Sequence, residues 1–427
     1  MKTVLLILTT LLCPALIFGQ VIDSSLSLNE VYQKVEANYP LTNKKELQRK
    51  IAAINDEIAR SGLFPEIQLN ASARYQSEVT EVPFSAPGST APQLSQDHYN
   101  ISLDLSQPLY DGGLTKARRN LESAQSEVEN AGVEVSMWEV QQQAEQVFFG
   151  ILSLQKRRES IAVLIEDLKE QLSSVQSKIE HGVLLPGNGK VLEAELLKAQ
   201  QQDVQLKFEI QAAYNVLSEL TGHKIEDRVK LEVPNFNATS VERVKISRPE
   251  LTVFRSQQEN LELQQDVIAS DRLPKISAIV KGAYGRPGYD VFNDDLHPFW
   301  MVGVQAQWSF RSWNNAGKKQ EVLELQKKKV QADEEAFLTG VRSELSKSER
   351  SIQYLREQLT MDEQVLKLRA EVVAEKKDQL EEGVITSTEY ITELNAEAQA
   401  RINLELRKLQ LVQSQIEYAT KKGISWN

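Results

Sequence analysis

Two hydrophobic periods alternate along this chain. In the stretch 64–76, FPEIQLNASARYQ, the residues Ile67, Leu69, Ala71, Ala73 and Tyr75 occupy every second position. Polar residues Glu66, Gln68, Asn70, Ser72 and Arg74 fill the places between. A period of two predicts a strand with one apolar and one polar face. The same alternation puts Tyr99, Ile101, Leu103 and Leu105 opposite Asn100, Ser102, Asp104 and Ser106. It recurs over 274–284, and again where Trp300, Val302, Val304, Ala306, Trp308 and Phe310 alternate with Met301, Gly303, Gln305, Gln307 and Ser309. Four strands are predicted, paired as two hairpins. Their connecting segments are rich in Pro, Gly, Ser and Asp, as exposed loops are.

Elsewhere the period is that of a helix. No proline interrupts 112–180 or 314–382, which predicts two helices of roughly 100 Å at ~1.5 Å per residue. In the first, Leu114, Leu121, Val128 and Val135 repeat every seventh position, and Ala117, Ala124, Ala131 and Trp138 follow three places behind. In the second, Leu338, Leu345, Ile352, Leu359, Leu366, Val373 and Leu380 keep the same spacing. A strict seven-residue repeat faces one partner along its length only if the helices supercoil. Shorter helices are predicted at about 27–62, 190–221, 247–272 and 388–422, with Pro40 kinking or splitting the first. Stacked end to end in pairs, they are long enough to flank one long helix.

The elements come in the same order twice. Residues 181–222 align without a gap on 382–423, so that Gly182 meets Gly383, Val183 meets Val384 and Gly222 meets Gly423. PEIQLNASARY at 65–75 likewise matches PKISAIVKGAY at 274–284. We expect a first repeat at 20–222, a connector at 223–246, a second repeat at 247–423 and a tail at 424–427.

Composition narrows the class. The chain has 427 residues and a net charge of −11, and no Lys/Arg-rich run is long enough to follow a phosphate backbone, so nucleic acid is not expected as a partner. Residues 1–19 carry one Lys before an apolar run and end in a small residue, the pattern of a secretory signal peptide cleaved after Gly19. The single cysteine, Cys13, lies within it, preceded by Leu12 rather than the small residue that lipidation requires. The mature chain then has neither disulfide nor thiolate. No later run of 18 apolar residues exists, so entry into a membrane would not be as a helix.

Two readings of the strands remain open. An ordinary sheet lying on a helical core predicts apolar inner faces and polar outer ones. A membrane sheet predicts the reverse, with aromatics near the strand ends, where Tyr75, Tyr99, Tyr110, Tyr284, Trp300, Trp308 and Trp313 fall. In that case Ile67, Leu69, Leu103, Leu105, Val302, Val304 and Trp308 face lipid. Four strands cannot close a barrel, so several copies would have to pool their hairpins.

The signal peptide, the duplication and the helix-flanked hairpins resemble the TolC-like outer-membrane efflux proteins. So do QPLYDGGLTKAR at 107–118, its degenerate partner at 307–320, and LEEGVITSTEYITELNAEAQARINLEL at 380–406. The resemblance covers essentially the whole mature chain. It implies a mainly α fold in which a homotrimer joins four strands per chain into a 12-stranded transmembrane β-barrel, continued into the periplasm by an α-barrel tunnel. It implies as partners a periplasmic adaptor (membrane fusion) protein, an inner-membrane efflux pump or transporter, and outer-membrane lipid. The turns at Gly182, Val183, Gly383 and Val384 would contact the adaptor. Glu389 would line the periplasmic constriction, and Thr392 stands where the family has a second acidic residue. Gly182 and Gly383 also suit a plain left-handed helix end.

Other candidate chemistry is thin. PGNGKV at 186–191 lacks the Ser/Thr, the glycine spacing and the preceding strand of a phosphate loop. His98, His181, His223 and His297 are scattered and form no metal pair. No catalytic residues, metal or cofactor are expected. The reading is an outer-membrane exit duct for efflux or type I secretion; the rival is a periplasmic coiled-coil scaffold or adaptor without a pore.

Overall fold

The computed structural model describes residues 25–79, 94–235, 245–290 and 293–424. The signal-peptide expectation therefore lies outside the described residues, as does most of the tail.

The chain opens with a two-residue strand β1 (Ser25–Leu26), helix α1 (Leu28–Asn38) and helix α2 (Leu41–Ser61). Ser27 starts α1 with a capping box: its hydroxyl accepts the Glu30 amide at 3.3 Å while the Glu30 carboxylate accepts the Ser27 amide at 2.8 Å. Pro40 splits the predicted 27–62 helix, because its ring occupies the space of a preceding turn and it has no N–H to bond. Strands β2 (Glu66–Tyr75) and β3 (Asp97–Tyr110) form the first hairpin. The long helix α3 (Leu114–Glu180) and its return helix α4 (Pro186–Thr221) follow. After β4 (Lys230–Leu231) come α5 (Pro249–Ser270), β5 (Lys275–Arg286), β6 (His297–Gln307), α6 (Phe310–Glu381) and α7 (Ser387–Lys422). The order helix, hairpin, long helix, return helix is thus repeated.

The expectation of four strands is corrected in one respect. β1 and β4 pair in parallel, Ser25 with Lys230 and Leu26 with Leu231, folding part of the connector against the start of the chain. Two residues carry no detectable period, so this pairing left no trace in the sequence pattern. The other four strands form one antiparallel sheet in the order β2-β3-β5-β6, with the two hairpins joined through β3 and β5.

A second correction concerns the end of β6. The apolar alternation runs on through Trp308 to Phe310, but the strand ends at Gln307 and α6 is already helical at Phe310. Gln307 pairs with Lys275, the first residue of β5, and the residue before it is Pro274, which has no N–H for a ladder. With no partner to continue the pairing, the chain turns into the helix.

Heptad spacing translates into packing. Along α6, Leu345, Ile352, Val373 and Leu380 are buried, and Leu338, Leu359 and Leu366 half-buried, in a seam against α7. In α3 the row of Ala117, Ala124 and Ala131 is buried, with Trp138 at its end half-buried, whereas of the other row Leu114 is buried and Leu121, Val128 and Val135 are half-buried. α3 packs against α2 and α5 near the sheet and against α4 farther away. Ion pairs mark both halves, Arg119 with Asp56 of α2 and Arg158 with Asp203 of α4. The short helices therefore do flank the long one end to end. Core side chains gather in separate clusters along the rod, around Phe148, Phe149, Tyr214 and Ile416 at mid-length and around Leu168, Leu192, Leu380 and Leu394 near its far end.

Candidate functional site: the two faces of the sheet and the helical tip

Alternation decides which side of each strand is apolar, and pairing register decides whether the apolar sides coincide. Here they do. Ile67, Leu105, Val280 and Val302 lie in one row across the sheet, and Leu69, Leu103, Gly282 and Trp300 in the next. This face is bare: Leu69 is 73% exposed, Val304 69% and Val302 63%. The opposite face carries most of the polar side chains and is the more sheltered one on the two central strands, where Ser102 is only 1% exposed, while on the edge strands it lies largely open. There Asp104 accepts hydrogen bonds from Asn70 at 2.7 Å and from Ser102 at 2.9 Å, and pairs with Lys281 at 3.5 Å. A sheet covering a soluble core would show the reverse pattern.

Of the predicted apolar-face residues, Ile67, Leu69, Leu103, Leu105, Val302 and Val304 lie together on that face, with Leu105 half-buried. Trp308 lies just beyond the strand. Its indole N–H and that of Trp313 both donate to the Arg272 carbonyl, at 3.0 and 2.9 Å. Aromatics bracket the apolar rows: Tyr75, Tyr99 and Tyr284 toward the hairpin loops, and Tyr110, Trp308, Phe310 and Trp313 toward the helices, all exposed. The sheet edges, β2 on one side and β6 on the other, have no strand beside them among the described residues.

The far end of the rod is built by the two glycine turns. Gly182 and Gly383 adopt left-handed φ values of 76° and 74°. Each closes a Schellman motif, with Val183 N–H donating to the Lys178 carbonyl at 2.8 Å and Val384 N–H to the Gln379 carbonyl at 2.9 Å. Val183 and Val384 themselves stay exposed. The two turns are tied to each other. Lys178 donates to the Glu381 carbonyl at 2.8 Å, Asn188 accepts the Ser387 amide at 3.0 Å, and Lys377 pairs with Glu170 at 3.0 Å. These cross-links join positions far apart in sequence, and no local pattern announced them.

Glu389 sits in the first turn of α7, whose cap is the Thr386 hydroxyl. Glu389 and Thr392 are both exposed, on the flank of α7 away from the buried Tyr390, Ile391 and Leu394, and the Thr392 hydroxyl donates to the Thr388 carbonyl at 2.9 Å. At mid-length, Glu145 is 3% exposed and accepts hydrogen bonds from the Tyr32 hydroxyl at 2.6 Å and the Thr420 hydroxyl at 3.2 Å. Burial pushes its carboxyl up to about 7, with Glu417 raising it further against the opposing Tyr32 and Thr420 bonds and Lys421. Among the described residues no cluster of His, Cys, Asp and Glu is placed to hold a metal ion, and no helix is long and apolar enough to cross a membrane.

Comparison with known proteins agrees with this geometry. The family model described as outer membrane efflux protein matches residues 31–223 and 241–419. Among solved structures, the outer membrane protein VceC of Vibrio cholerae is 15% identical, with a TM-score of 0.65 over 92% of this chain and 96% of that one. The outer-membrane channel OprN is 14% identical, with a TM-score of 0.68 over 93% and 90%. The CmeC outer membrane channel of Campylobacter jejuni is 15% identical, with a TM-score of 0.64 over 94% and 87%. At such identities the likeness is one of fold. No curated protein sequence matches the chain.

Proposed function

This chain belongs to the outer membrane efflux protein family, and we propose that three copies of it form the passive exit duct of a tripartite efflux or type I secretion machine. The observation that carries the proposal is the inverted sheet, with a bare apolar face opposite a mostly polar one and both edges unpaired among the described residues. An unpaired edge in hydrocarbon leaves backbone groups without partners, at several kcal/mol each. A four-stranded sheet must therefore be completed by other copies, and three of them give twelve strands. The dimensions suit a bilayer. From Ile276 to Arg286, β5 spans about 33 Å at ~3.3 Å per residue, or about 25 Å of height at a tilt of ~40°.

The helices have matching unpartnered faces. Leu47, Ile51, Ile54 and Ile58 form an exposed apolar stripe on α2, and Tyr354, Met361, Val365 and Leu368 form another on α6. In a closed ring, each meets a neighbouring subunit instead of water. Against the rival scaffold stand the bare valines and leucines of the sheet, which a periplasmic monomer would have to hold in water.

In this reading the tip carrying Gly182, Val183, Gly383 and Val384 receives a periplasmic adaptor, and the inner-membrane pump supplies the energy. Glu389 places one carboxylate per subunit at the periplasmic constriction, with Thr392 beside it, so the narrow point favours cations. Mass and planar-bilayer conductance of the protein extracted from outer membranes in mild detergent test the proposal. A three-chain particle with discrete conductance steps is expected, and Glu389→Gln should shift the reversal potential toward weaker cation preference. A water-soluble monomer without conductance would overturn the duct and favour the scaffold.

A further inference from the structure

We infer that Arg272 binds the phosphate of an anionic phospholipid in the periplasmic leaflet, with Trp308 and Trp313 contacting its acyl chains. The inference rests on the membrane placement proposed above. Arg272 lies in the turn between α5 and β5, at the helix-side end of the apolar band. Its guanidinium stands 5.1 Å over the Trp313 ring. Both indole N–H groups are already spent on the Arg272 carbonyl. Their rings, 6.1 Å apart and each about half exposed, are thus left to contact acyl chains while the polar atoms are satisfied by protein. Exposed Phe310 packs against Trp308 with the ring centroids 5.0 Å apart and the planes tilted by 39°, and extends the apolar shelf.

The charge is what lacks a partner. Among the described residues, no carboxylate pairs with Arg272, and the adjacent Asp271 is engaged by Lys275 at 3.5 Å. The other end of the sheet offers a contrast. There Arg286 also lies over an aromatic ring, Tyr99 at 5.5 Å, but Asp97 neutralises it. The same construction is thus closed by a protein carboxylate at the hairpin end and left open at the periplasmic end. A planar fork of N–H donors beside an acyl-contacting shelf matches a group that carries a phosphate and a hydrocarbon chain together. An anionic glycerophospholipid, whose phosphate charge no headgroup cation offsets, is that group, one per subunit.

The test uses the full-length protein in nanodiscs of phosphatidylcholine containing a minor fraction of phosphatidylglycerol, with retained lipid counted by native mass spectrometry. Wild type should retain phosphatidylglycerol preferentially. Arg272→Gln should weaken that retention about fivefold, the equivalent of ~1 kcal/mol per cation at an anionic surface. Arg272→Lys, which keeps the charge but loses the fork, should fall between and also serves if the Gln variant misfolds. Conductance of each variant reports that the barrel is intact. Conducting wild type with no lipid preference, or Arg272→Gln equal to wild type, would overturn the site. So would inorganic phosphate displacing the lipid at equal concentration, which would mark a free-anion site. Failure of wild type to enter the bilayer, seen as loss of conductance as well, would overturn the membrane reading and this inference with it.

Discussion

Glu145 makes the stability of the mid-length junction depend on pH. Its carboxyl is held at about 7 in the folded chain against an ordinary 4.5. At ~1.36 kcal/mol per pH unit, that difference is worth about 3 kcal/mol. Below pH 4.5, folded and unfolded chains both hold the proton, and the contribution is present in full. As pH rises from 4.5 toward 7, the unfolded chain releases the proton first, so the junction weakens. Above 7 the loss is complete and the curve levels. Because Glu145 of α3 bridges Tyr32 of α1 and Thr420 of α7, the weakening should appear as local opening of α1. Hydrogen exchange of the α1 amides, corrected for intrinsic rates, should show protection falling by about a hundredfold between pH 4.5 and 8. Glu145→Gln, which cannot ionise, should give a flat profile and exceed wild type above pH 7. Parallel profiles for the two proteins, or wild-type protection that rises with pH, would refute the assignment.

Three further outcomes follow from packing and register. Val302→Arg places a cation on the bare face of the sheet and should cost about 2–4 kcal/mol in folding from urea into lipid vesicles, whereas Gln305→Arg on the other face of β6 should cost little. Gly182→Ala meets open space, so it should lose only the ~1 kcal/mol of a left-handed residue. Gly423→Ala has a similar φ of 84°, but its Cβ would lie 2.4 Å from the Ser247 carbonyl carbon, and it should cost at least ~3 kcal/mol in the same urea titration. Ala124→Leu overfills the tight alanine row of α3 and should lower stability by about 1–3 kcal/mol, with Leu345→Ala on α6 losing ~2–5 kcal/mol by the opposite route.

Much of the architecture was legible because its periods are long and clean. The seven-residue row from Leu338 to Leu380 runs through the greater part of α6 and lies against α7 as its spacing requires. Gly182, Gly383 and Gly423 stop their helices where a residue with positive φ is needed. The candidate site was less legible. Ile67 through Val304 could be assigned to an apolar face, but alternation alone fits a sheet turned either way. The ties that hold the tip together, Lys178 to Glu381 and Asn188 to Ser387, bridge residues about two hundred positions apart. Arg272 fell at the end of the helix predicted at about 247–272, and nothing in its neighbours reveals which charges are already paired.

The sequence by itself determined where the helices and the four strands of the antiparallel sheet lie, that the unit is written twice, and which side of each of those strands is apolar. Those are local matters, decided by side-chain period and by backbone preferences at Pro40 and the turn glycines. Only the tertiary structure decided that β3 pairs with β5, so that two hairpins become one sheet, and that the apolar side stands bare, with the edges unpaired among the described residues. Only it decided that the strand stops at Gln307 although the apolar alternation runs on, because Pro274 leaves no strand to pair with. Pairing, register and exposure depend on which distant segments come to lie side by side, and period within one segment carries no information about its neighbour.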